Sequence, residues 1–193
     1  MKYKVNEIFH SVQAEGHNAG RSAVFVRFSG CNLQCPFCDT NHEPFTEMTA
    51  DEINAEIRRL SPDKKALVVF TGGEPLLQLR DSEELAAGYS RAIESNGILP
   101  LPEWWTDEDW LTISPKTSLT AEELFRANEI KMLYGLFSNA GLKEIEQKAV
   151  GCYLYVQPIE RGGNFDIEPV VDFVKNNPAW KISVQWHKLT GVR

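Results

Sequence analysis

The stretch SGCNLQCPFCDT, residues 29–40, sets Cys31, Cys35 and Cys38 in a C-x-x-x-C-x-x-C spacing, while the only other cysteine, Cys152, lies far along the chain. A closed structural zinc site needs four ligands, and a stable cubane electron carrier normally uses four cysteines. Three thiolates on a [4Fe–4S] cluster instead leave one iron open, and an open iron can hold a small chelating molecule. Joined by His42, the same thiols would make a structural zinc knuckle, although zinc loops usually come as two separated pairs.

Other residues bear chemistry too. Gly72 and Gly73 leave no side chain where a backbone must approach a ligand, and Glu74 adds a carboxylate suited to an ammonium group. Arg27 falls within SAVFVRF, an apolar run whose alternation puts Ala23, Phe25 and Arg27 on one face. A guanidinium there requires an internal carboxylate or an anionic ligand.

These residues must be positioned by alternating elements. Strands are expected at residues 22–28, 66–71, 89–95, 110–114, 129–134, 152–157 and 181–186, each an apolar or β-branched run ended by a turn signal. Helices are expected at 51–60 behind the capping box Thr49-x-x-Glu52, at 81–87 (or continuing to Ile93), after the second box Thr120-x-x-Glu123, at 142–150, and from Pro169 to Asn176. Strands separated by helices imply a parallel sheet, which binds ligands at the carboxyl ends of its strands. The cysteine loop, TGGEP (71–75), SNG (95–97), SPK (114–116) and QPIE (157–160) all follow such strands, so they converge on one rim.

At 193 residues, with no Gly/Ser-rich or charge-rich linker, one domain spanning 1–193 is expected. The net charge of -7 and the scattered basic residues argue against nucleic acid as a partner. The N-terminus, MKYKVNEIFHSVQAEG, is too charged for a signal peptide, and no run reaches the length of a membrane span. A cytoplasmic location is expected, where clustered cysteines serve metals or catalysis more often than disulfides.

With Phe37 before its third cysteine, the loop is similar to the cluster loop of the radical S-adenosylmethionine (SAM) enzymes. Within that superfamily, EIFHSVQAEG (7–16), GRSAVFVRFSGCNLQCPFCDT (20–40), TGGEPLLQ (71–78), SNG, ISPK (113–116) and QWHK (185–188) together resemble the 7-carboxy-7-deazaguanine synthase family of queuosine biosynthesis. The resemblance implies an α/β fold, a partial (βα)6 TIM-like barrel of reduced size. It implies a [4Fe–4S] cluster on Cys31, Cys35 and Cys38. It implies SAM bound by Phe37, Cys38, Asp39, Gly73 and Glu74, by Ser114, Pro115 and Lys116, and by Gln157, Pro158, Ile159 and Glu160. The substrate implied is 6-carboxy-5,6,7,8-tetrahydropterin, contacted by Val12, Gln13, Ala14, Glu15, Arg27, Thr71, His187 and Arg193, with Mg²⁺ on Thr40. Ala14 stands where glycine is typical of the family. Loss of ammonia in a radical ring contraction, a flavodoxin- or ferredoxin-type reductant and a homodimer complete what the resemblance implies. A glycyl-radical activating enzyme shares the cysteine loop but does not need EIFHSVQAEG; a non-catalytic iron–sulfur or zinc protein is the reading of another class.

Overall fold

A computed structural model describes the chain except Asp39, His42, Phe125, Gly163 and Arg193, and except the side chains of Ala121 and Arg161. The N-terminal residues, where no element was expected, form β1 (Tyr3–Val12), antiparallel to β2 (Ser22–Phe28) with Glu7 opposite Arg27; β3 (Thr46–Met48) pairs with the start of β1. The sheet continues from β2 in parallel through β4 (Leu67–Gly72), β5 (Arg91–Ser95), β6 (Trp110–Ile113), β7 (Glu129–Leu133) and β8 (Tyr153–Gln157). It skips the small hairpin of β9 (Glu160–Arg161) and β10 (Asn164–Phe165) and ends on β11 (Trp180–Ile182). Among the described residues the order is β11-β8-β7-β6-β5-β4-β2-β1-β3, so the sheet is an open barrel. β2, β4, β5, β6, β7, β8 and β11 share one direction, one for each of the seven expected strands, so the short β11 adds a strand to the six of a (βα)6 barrel.

Both capping boxes form. Thr49 and Glu52 exchange bonds at the start of α1 (Ala50–Leu60), whose Ile53 and Ile57 are buried, and Thr120 and Glu123 do the same before α2 (Ala121–Leu124). α3 (Asn139–Lys148) begins three residues before the expected helix because Ser138 caps it through Gly141 N, and Pro169 lies in the first turn of α4 (Glu168–Asn176).

Two expectations are corrected. Residues 81–87 are turns, not a helix. Asn54 takes the backbone of Glu84 and Ala86 at 2.9 and 2.8 Å, the Tyr3 hydroxyl donates to Ser82 Oγ at 2.8 Å, and Ala86 sits at φ 54°. Asn54 has taken backbone groups that a helix would pair internally, and Tyr3 holds the Ser82 side chain in the turn. The last strand ends at Ile182 instead of Trp186, because Ser183 and Gln185 turn toward the barrel interior and Trp186 opens α5 (Trp186–Thr190).

The outer face of the sheet packs the main core, including Val26, Phe70, Ile93 and Ile130 against Ile53, Ile57, Leu142 and Phe173. The inner face is divided. Phe9, Ala23, Phe25, Leu67, Val69 and Ala92 fill one end, with Phe9 stacked on Phe25 at 5.0 Å. Two residues further along three of these strands come Arg27, Thr71 and Glu94, so period-2 alternation carries one face from apolar plug to polar cavity. The open side of the barrel is closed by the segment after β1, through Trp186 N to Ala14 O at 3.3 Å and Gly16 N to Ser183 Oγ at 3.0 Å.

Trp104 and Trp105 belong to a flap over the sheet. Both rings lie against the Arg91 guanidinium, at 4.9 and 5.7 Å, and Arg91 is paired bidentately with Asp109. Among the described residues no helix is long and apolar enough to cross a membrane.

Candidate active site

The cysteine loop is tied to its neighbours by backbone. Phe28 O accepts from Gly73 N at 3.0 Å and Gly30 O from Glu74 N at 2.9 Å. The Glu74 carboxylate, fully buried, then accepts from Leu76 N, Ser95 Oγ and Asn96 N at 3.1, 3.0 and 2.8 Å, and Asn96 Nδ2 reaches back to Asn32 Oδ1 at 2.7 Å. Burial pushes the Glu74 carboxyl up, and these donors hold it back. Glu74 thus clamps three loops together, and it is not among the residues that line the cavity.

The three thiols line one cavity of about 370 Å³ that opens at the carboxyl rim. Cys31, Cys35 and Cys38 form no disulfide, Cys38 N donates to Cys35 O at 3.1 Å, and Gly72, Gly73 and Lys116 line the same space. Cys152 is elsewhere, its thiol donating to Ala127 O at 3.0 Å. Three thiols with no fourth among the cavity's described residues fit a cluster that keeps an open iron, and the glycine wall admits the backbone approach a SAM molecule needs.

Of the other residues expected at SAM, Phe37, Ser114, Gln157, Ile159 and Glu160 line the cavity, whereas Pro115 and Pro158 are buried behind it and Asp39 is outside the described residues. Of those expected at the substrate, Val12, Gln13, Ala14, Glu15, Arg27, Thr71 and His187 line it, as does Thr40; Arg193 is outside the described residues. Ala14 keeps a negative φ, which is why alanine is accommodated where glycine is typical.

Arg27 resolves in favour of a partner within the fold that leaves room for a ligand. Its Nε bonds Glu7 Oε1 at 2.9 Å, and its side chain still faces the cavity. A guanidinium carries five N–H donors, so a single Nε bond leaves the fork able to take a carboxylate.

The floor of the cavity contains residues that the motifs did not indicate. Lys131 is salt-bridged to Glu15 and, at 3.4 Å, to Glu94. Gln13 Nε2 and Thr71 Oγ1 donate to Glu94 at 3.1 and 2.9 Å, and Gln185 Nε2 to Glu15 at 2.7 Å. Burial opposes charge on Lys131, but the surrounding carboxylates drive its pKa up. The signal was present in EIKML, where Glu129 and Lys131 alternate on a strand covered on both faces, the same argument that singled out Arg27.

Glu129 lies beneath this floor, accepting His17 N at 2.8 Å, and burial pushes its carboxyl up to about 7 despite Lys131. A carboxyl raised on folding contributes stability that is complete below its ordinary value and is lost as pH rises through the raised one. Between about pH 4.5 and pH 7 the parent is therefore expected to lose roughly 3 kcal/mol relative to Glu129→Gln. Urea midpoints of both proteins across that interval check it; parallel profiles would contradict a buried, titrating Glu129.

An open parallel barrel whose rim carries a three-thiol loop clamped to a Gly-Gly-Glu-Pro turn defines the radical SAM class, and the model of the Radical SAM superfamily matches residues 25–127. Two proteins named 7-carboxy-7-deazaguanine synthase align over nearly all of both chains. That of Bacteroides thetaiotaomicron is 40% identical over 100% of each, and that of Haemophilus influenzae is 33% identical over 98% of this chain and 94% of its own. The crystal structure of QueE from Escherichia coli superposes with a TM-score of 0.78 at 25% identity, covering 96% of this chain and 94% of that one. The chain belongs to the 7-carboxy-7-deazaguanine synthase family, a radical SAM enzyme family.

Proposed function

We propose that this chain converts 6-carboxy-5,6,7,8-tetrahydropterin to 7-carboxy-7-deazaguanine, releasing one nitrogen as ammonia. The observation that supports it most is that one cavity is lined by three thiols outside any disulfide, an arginine with donors to spare, and a polar floor of Gln13, Glu15, Glu94 and Lys131. Cys31, Cys35 and Cys38 would hold the cluster, with SAM against Gly72 and Gly73, and the bound pair supplies hydrogen-atom abstraction. Arg27, held by Glu7, takes the substrate carboxylate at one side of the cavity. Gln13 and Glu15 take the amide-like and amino edges of the ring. The apolar plug of Phe9, Phe25 and Val69 closes the inner end against water. Together these contacts fix which C–H bond is presented to the radical, which is the protein's share of such chemistry.

Anaerobic reconstitution followed by SAM, a reductant and the carboxypterin tests the reading. A product lacking one nitrogen supports it. Deoxyadenosine without pterin turnover would point to an activating enzyme, and no SAM cleavage to a non-catalytic protein.

Thr40 would supply a hydroxyl to Mg²⁺ in the substrate complex. It is half-buried and lines the cavity beside the thiols, and Mg²⁺ commonly completes its octahedron with substrate oxygens and water. Turnover by the reconstituted enzyme is expected to fall under a chelator and recover on adding Mg²⁺, with that dependence altered in Thr40→Ala. Unchanged activity after thorough chelation would return Thr40 to the loop. A flavodoxin- or ferredoxin-type reductant, a homodimer and a cytoplasmic location complete the proposal, on the strength of the family.

A further inference from the structure

The polar floor contains groups that face a ligand and one group that holds them. Glu15 comes from the segment after β1 and Glu94 from β5; Lys131, on β7, bonds both. Lys131 is itself buried, its side chain 8% exposed. A carboxylate offers about four acceptor positions. Glu94 has filled three, from Gln13, Thr71 and Lys131, and Glu15 two, from Gln185 and Lys131, so each can still accept from a ligand. Neither can donate while ionised. The pair therefore suits an edge made of N–H donors, which the 2-amino-4-oxopyrimidine half of a pterin presents at its amino group and adjacent ring nitrogen.

We propose that Lys131 is a positioning residue for the reaction: it fixes Glu15 and Glu94 side by side as acceptors for the adjacent N–H donors of the substrate's aminopyrimidinone edge. This rests on the functional reading above, since the carboxypterin is what brings that edge into the cavity. The charged and titratable groups facing Lys131 are Glu15, Glu94 and Glu129; His187 on α5 faces Glu15, and Tyr155 on β8 faces Glu129. Burial pushes the Glu15 carboxyl up, but Lys131, with help from Gln185 and His187, brings it down to about 2. Without Lys131, the burial of Glu15 is opposed only by those weaker partners, and the carboxyl takes a proton that turns an acceptor into a donor facing the ligand's donors.

The test is the affinity of the reconstituted, SAM-loaded enzyme for the carboxylated tetrahydropterin, measured anaerobically by calorimetry from about pH 6 to pH 9, with turnover alongside. The parent is expected to bind with an affinity nearly constant over that range. Lys131→Met is expected to bind about 100-fold more weakly at the acid end and to recover as pH rises, with KM affected more than kcat, and Lys131→Arg to stay within about tenfold of the parent. A parental affinity in Lys131→Met, or a loss of equal size at every pH, would overturn the proposal. Should Lys131→Met not fold, the same titration on Lys131→Met/Glu129→Gln decides by the same two outcomes, because Glu129 lies outside the cavity and its neutralisation relieves the excess interior charge. A parent that neither binds nor converts the pterin would sink the functional reading and this inference with it; a parent that turns over beside an unaffected Lys131→Met sinks this inference alone.

Discussion

Alanine at Cys31, Cys35 or Cys38 is expected to abolish the visible absorbance of the reconstituted cluster and all SAM cleavage with it, while Cys152→Ala keeps both. The three thiols line the same cavity and the fourth does not, so no described cysteine stands ready to replace a lost ligand. Two thiolates leave a cluster with half of the four protein ligands that a stable cubane normally uses, against three in the parent. Cys152 is half-buried, its thiol is pushed up by burial, and it donates to a backbone carbonyl, which is the behaviour of a small core residue. Its alanine variant should cost about 1 kcal/mol for the lost bond and sulfur contacts, visible in a urea midpoint and not in the spectrum. Loss of the cluster in Cys152→Ala would overturn the three-ligand assignment.

Gly72→Ala is expected to destabilise the protein by at least about 3 kcal/mol and to prevent cluster loading, through two separate effects. Gly72 has φ 119°, where a Cβ is strained by about 1–3 kcal/mol. That Cβ would also lie 2.1 Å from Phe28 O and 2.6 Å from Phe28 N, both backbone atoms. Phe28 cannot retreat without breaking its bond from Gly73 N and the parallel pairing of β2 with β4, and the cysteine loop begins three residues further on. Gly135 supplies the control, since it has φ 87° and nothing within 4 Å of its added Cβ. Gly135→Ala should therefore show the strain alone. Denaturant unfolding of both variants, with iron content measured after reconstitution, separates the terms. Equal losses in the two would show that the contact with Phe28 carries nothing.

How far the residues alone reach is seen by comparing β2 with the segment before it. SAVFVRF was legible because a strand buried on both faces must be apolar throughout, which made Arg27 conspicuous and required a counter-charge for it. Which carboxylate supplies it was not legible: Glu7 lies twenty residues earlier, on a strand whose polar and apolar residues do not alternate cleanly, and only the antiparallel register of β1 on β2 puts it opposite Arg27. Residues 81–87 show the reverse case. Their composition favours a helix, but Asn54, distant in sequence, claims the backbone groups of Glu84 and Ala86 that the helix would pair.

The sequence by itself determined the parallel sheet, the rim on which its motif loops converge, and the three-thiol loop, because each depends on short-range spacing: period 2 in the strands, a three-residue step in the capping boxes, and cysteines within one loop. Only the tertiary structure decided that the barrel stays open and is closed by residues 13–16, that Glu74 is a clamp instead of part of the cavity wall, and that Lys131 joins Glu15 to Glu94. Those arrangements are contacts between elements far apart in the chain. Burial makes a partner obligatory for each charged group, but which partner it finds is set by strand register and by where the sheet ends, and neither is written in any local run of residues.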